Sequence, residues 1–146
     1  MLKISTAVRQ QLAVSGSLRD ILNNGLIRIY SGPVPASADA ALGSAVLLCE
    51  ISAGGDGTPL TFEESAPNGT LSKSASEVWT GTTLQTGTPS FFRYVLTTDT
   101  GGASTTEPRI QGSVGGVGSD MVITSLPMIQ GNPQAFELFQ LTVPEQ

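Results

Sequence analysis

The sequence predicts an antiparallel all-β domain carrying one N-terminal α-helix, and three observations carry that reading. It holds 17 Gly, 16 Ser and 16 Thr in 146 residues with only 13% charged residues, so turns and hydroxyls, rather than ion pairs, make its surface. Past residue 25 the apolar residues change from helical to alternating spacing. Turn signals then recur between short apolar runs, at Gly54-Gly55-Asp56-Gly57, Pro67-Asn68-Gly69, Gly87-Thr88-Pro89, Gly101-Gly102, Gly115-Gly116 and Gly131-Asn132-Pro133. A chain of 146 residues is about one domain long. Residues 1–25 form an arm and helix, and residues 26–146 the β-sandwich.

The helix is expected over residues 5–23, with Ser5 or Thr6 as N-cap, Val8, Leu12, Leu18 and Leu22 on one face, and Gly25 as its stop. Gly16 interrupts it, costing about 1 kcal/mol relative to Ala, and marks either a break into two pieces or a close packing contact. Leu26–Tyr30 is the first long strand, ended by Ser31-Gly32-Pro33. Residues 37–43 read as one helical turn capped by Ser37 and stopped by Gly43. Further strands are expected at 45–52, 59–63, 69–72, 77–84, 90–98, 107–114, 120–125 and 135–143. In Phe91–Leu96 both faces carry large side chains, as in a central strand covered on two sides.

Composition removes most catalytic chemistries. The chain has no His and a single Cys, so acid–base work by imidazole and a zinc ligand set lack their residues, and no calcium loop is spelled. No cofactor or metal is expected, and no enzymatic activity. Cys49 alternates with Leu47 and Ile51 and reads as a small core hydrophobe. Glu63 and Glu64 are strand neighbours that point to opposite faces and cannot flank one scissile bond. Gly112–Gly118 has glycines like a phosphate loop but no Lys-Ser/Thr ending and no following helix, so it reads as a flexible hairpin connection. Asn68-Gly69-Thr70 fits a glycosylation acceptor, yet Asn-Gly is the strongest short turn signal and the turn is preferred. Ser72-Lys73 lacks the spacing of Ser/Lys enzymes.

Seven basic against 12 acidic side chains give a net charge of −5, which repels phosphate backbones, so direct nucleic-acid binding is not expected. No apolar run approaches the roughly 18 residues that span a bilayer, and no membrane partner is expected. Candidate contact residues for a protein partner are Leu2, Ile4, Val8 and Leu12 on the N-terminal arm and helix, and Trp79; Tyr30 is a second aromatic considered as an anchor.

Three stretches together resemble a group of small tailed-bacteriophage virion proteins: Met1–Ala7 leading into Gly25–Gly43, the middle run Gly69–Leu96, and the closing run Gly112–Pro144 with its Gly-rich turn, Asp120-Met121 strand and final apolar strand. The likeness spans nearly the whole chain, and its motifs are structural. It departs from that pattern at Gly16 and in the closing Phe136–Leu141 run. The resemblance is to cement, or decoration, proteins on the outside of capsids built from HK97-like shell protein. It implies a jelly-roll-like sandwich, location on the outer capsid surface of the virion, and the major capsid protein as partner. A second copy, in a homodimer that protects an open strand edge, is also expected. The alternatives are a tail, collar or baseplate component, and a host-receptor or glycan-binding module using Trp79 and Tyr30.

Overall fold

In the computed structural model, which describes residues 1–145, Ser5 starts the first helix. Its Oγ accepts from the Val8 amide, capping α1 (Thr6–Val14). The expected single helix breaks at Ser15–Gly16, and Ser17 caps a second, α2 (Leu18–Leu22), by accepting from the Asp20 amide while donating to its carboxylate. Both anticipated roles of Gly16 are present: a Cβ there would lie 3.1 Å from Ile21 Cγ1, so its missing side chain lets α2 fold back.

The fold is antiparallel all-β. One sheet runs in the order β1 (Lys3–Ile4), β7 (Arg109–Gly115), β6 (Phe91–Leu96), β2 (Gly25–Ser31), β3 (Val46–Ala53), β5 (Trp79–Thr82), β9 (Pro133–Phe136). β4 (Thr70–Ser72) and β10 (Gln140–Thr142) pair as a separate two-stranded ribbon. The register sets Ile27 beside Ile51 and Tyr94, and Ile29 beside Cys49 and Phe92. This face packs against Val8, Ile21 and Leu22 from the helices, Leu60, Phe62 and Leu71, and Phe139 and Leu141 near the C-terminus. β6 is covered on both faces, as its sequence implies.

The other face carries a buried polar row, between Leu26 and Val95 on one side and Tyr30 and Phe91 on the other, and is closed by loops. Arg28 stands beside Glu50 and Arg93, and Arg93 beside Gln111. Arg93 donates through Nε to Gln111 and through Nη2 to the carbonyls of Ser37 and Ala40, and Gln111 donates to the Pro35 carbonyl. Arg109 grips the Asp99 carboxylate and donates to the Ala38 and Gly102 carbonyls. The segments 33–45 and 97–108, which have no regular structure of their own, are thereby tied to the sheet.

Several expected elements are corrected. Residues 37–43 form turns and bends with one Ala40-to-Ser37 bond of 3.3 Å, no helix forms, and the Ser37 and Ala40 carbonyls also accept from Arg93. Residues 59–63 make only isolated bridges, at Leu60 and Phe62. The 120–125 strand shrinks to β8 (Met121–Val122), which runs parallel to β7 rather than returning as a hairpin. Asp120 accounts for that path: its Oδ2 accepts from both the amide and the hydroxyl of Ser113, folding the glycine loop back along β7. The 135–143 strand is split: Phe136 pairs with Trp79 in the large sheet, whereas Gln140 pairs with Ser72 in the ribbon. Gly16 and the Phe136–Leu141 run thus both fall where an expected element divides in two.

Candidate functional site

The arm is pinned at Ser5. Its amide donates to the Arg109 carbonyl at 2.9 Å, and its hydroxyl donates to the Glu107 carbonyl while accepting from the Arg109 amide. Thr6 donates through its amide and hydroxyl to the two Asp39 oxygens. Burial raises the Asp39 pKa, but those two bonds together with the charges of Arg9 and Arg109 outweigh it and hold the carboxyl below its ordinary value. On the two-residue strand β1, side chains alternate. Lys3 reaches one way, to the Ala36 carbonyl, and Leu2 and Ile4 point the other.

There they meet the C-terminal segment across an apolar trough of two recesses. The first, about 350 Å³, lies among Leu2, Ile4, Leu12, Leu18, Leu141 and Val143. The second, about 410 Å³, lies among Leu2, Phe92, Met121, Phe136, Leu138 and Phe139, with Asp120 and Gln140 at its rim. Leu2 and Leu141 wall both. Leu2 reaches Phe92 because residue 112 is glycine: a Cβ there would lie 2.6 Å from Phe92 Cε1 and 3.1 Å from Leu2 Cδ1. The Met1 amino nitrogen lies 3.1 Å from Asp120 Oδ2.

Of the five candidate contact residues, three come together at this trough. Leu2, Ile4 and Leu12 are 39%, 39% and 41% exposed, as surface contacts require. Val8 and Trp79, both 0% exposed, are corrected to core residues. Val8 faces the sheet because the Ser5 cap sets the helix phase. Trp79 packs edge-on against Phe62 and beside Phe139, and its Nε1 donates to Glu77, whose carboxylate also accepts from Thr61. Tyr30, 4% exposed, stacks on Phe91 at 5.0 Å. Neither aromatic presents a ring face to a glycan.

No protein-family model matches this chain, and neither the curated proteins nor the solved structures give a match.

The remaining sequence motifs take structural places. Cys49 is buried, and burial with the nearby Glu50 charge pushes its thiol up to about 11. Lys73 donates to the Ser74 and Glu77 carbonyls and lies 5.8 Å over the Trp79 ring, so its ammonium is engaged away from Ser72. Glu63 accepts from the Ala75 amide. Asn68, with φ of 53°, turns the chain through Pro67–Gly69 into β4. Among the described residues no three His, Cys, Asp or Glu side chains gather, and no helix is long and apolar enough to cross a membrane.

Sequence reasoning missed the other wall. Leu138, 69% exposed, and Val143, 58%, lie in a segment read as one strand. The signal was present in the interrupted alternation of Ala135–Leu141, where Leu138 and Phe139 are adjacent apolar residues.

Proposed function

We propose that this chain is a binding protein without catalytic machinery, and that it serves as a bacteriophage capsid cement protein attached to the outer surface of an HK97-like shell. The observation that carries the binding role is the exposed apolar trough between the arm and the C-terminal segment, held on a scaffold in which the arm is pinned by buried bonds. Preformed recesses bind without first ordering the chain, which lowers the entropic cost of association. The shell assignment rests on the resemblance of the three stretches to tailed-phage virion proteins. The net charge of −5 supports an outer position, since packaged DNA would repel it inside.

A protein with affinity only for the assembled lattice shifts the equilibrium toward the closed shell. Many copies multiply a modest interface, because opening the shell must break all of those around the gap. The test is the copy number of the chain per particle relative to the major shell protein, together with heat-induced DNA release from particles lacking it. Hundreds of copies and earlier release are expected for cement. A few copies confined to the tail, with unchanged release, would overturn the capsid reading and favour a tail component.

A further inference from the structure

Resting on that binding role, we infer that the trough receives an extended, apolar segment of a partner protein flanked by Lys or Arg. β1 ends the sheet order and, among the described residues, pairs only with β7. The Ser5 amide bonds toward Arg109, so the backbone groups of the preceding residue, Ile4, face the open edge, where an added strand finds a donor and an acceptor. The two recesses are separated by Leu2 and Leu141. That division suits alternate large side chains of a strand better than one continuous acyl chain.

Charge selects the flanks. From Ile110 onward the chain carries Asp120, Glu137 and Glu145 and no Lys or Arg. Glu137 lies between the recess residues Phe136 and Leu138, and Glu145 follows Pro144, which lines the first recess. Neither makes an ion pair among the described residues. Asp120 is already engaged by Ser113 and the Met1 amino group. The nearby cations are turned away: Lys3 reaches Ala36 on the opposite side, and Arg9 folds back to Thr6. An apolar segment with cationic ends therefore meets apolar walls that are followed along the chain by two exposed carboxylates, whereas one with acidic ends is repelled.

The test uses the full chain with labelled Ile, Leu and Val methyls, titrated with the blocked peptide Lys-Val-Thr-Val-Thr-Val-Lys and its Glu-flanked counterpart. Shifts are expected at Leu2, Ile4, Leu12, Leu141 and Val143, with the Lys-flanked peptide binding about tenfold tighter at low salt, a margin that salt narrows. The double variant Glu137→Gln, Glu145→Gln should shrink the margin to about twofold while the methyl shifts persist, since the two neighbouring acidic charges are gone and the walls remain. Leu12→Gln, at an exposed position, should weaken both peptides. Unmoved trough methyls, or equal binding of the two peptides, would overturn the inference, as would octanoate moving those methyls where neither peptide does. Because peptide binding is read without particles, a positive result with a chain that does not attach to capsids supports the inference and rejects only the capsid reading.

Discussion

Arg109 holds Asp99 through two hydrogen bonds, Nε to Oδ2 at 2.5 Å and Nη2 to Oδ1 at 2.8 Å, and both side chains are almost wholly buried. The backbone of the same arginine pairs with Ser5, so one residue fastens the 97–108 loop to the sheet and sets where the arm begins. The trough inherits its geometry from this pair, because Leu2 and Ile4 project from the arm that Ser5 anchors.

Replacing Asp99 with Asn or Arg109 with Met should lower unfolding free energy by about 3–5 kcal/mol, since either change leaves a buried charge without its partner. Urea unfolding measures it. The double replacement Asp99→Asn, Arg109→Met should cost less than the sum of the two singles, because the uncompensated charge is then absent.

Acid should act through the same pair. Burial raises the Asp99 pKa, but the Arg109 bonds, the Gly101 amide and the charges of Arg109 and Arg28 outweigh it and hold the carboxyl below its ordinary value. A carboxyl depressed on folding contributes stability above its unfolded pKa of about 3.9, and that contribution is lost as pH falls through the lower folded value. Stability measured by denaturant should therefore fall steeply below about pH 4, and Asp99→Asn should flatten that fall.

Trough and core substitutions should separate. Ile4→Gln and Leu12→Gln alter exposed side chains and should change stability by no more than about 0.5 kcal/mol while reducing attachment to particles. Trp79→Ala should cost about 3–5 kcal/mol, because it empties a site in the centre of the aromatic cluster. Thermal unfolding beside a particle-binding assay distinguishes the two groups.

Gly112→Ala should destabilise by about 1–3 kcal/mol, since its Cβ must displace the Phe92 ring and push Leu2 outward. Leu2 methyl shifts should change more than those of Leu12, which lines only the far recess.

Cys49 should resist thiol reagents in the folded protein at pH 8 and react once the chain is unfolded in urea, because the thiolate is the reactive form and the folded thiol titrates at about 11. Rapid modification of the folded chain would contradict the buried placement.

Local chemistry was legible in the residues themselves. Alternation and turn residues determined the antiparallel β class, Ser5 and Gly16 determined where the helices start and break, and the setting of Cys49 between Leu47 and Ile51 determined a core role. These properties depend on neighbours a few positions away, so the order of residues suffices. Long-range pairing was not legible. The arginine layer looked like ordinary strand polarity until the sheet placed Arg93, Arg109 and Asp99 beneath two irregular loops. Only tertiary structure divided the last apolar run between Trp79 and Ser72, which lie on different sheets, and so set Leu138 and Val143 opposite Leu2. Helix phase and sheet registry likewise decided that Val8 and Trp79 turn inward while Leu2, Ile4 and Leu12 stay at the surface. An apolar residue is compatible with either environment, and the choice belongs to whatever the rest of the chain brings against it.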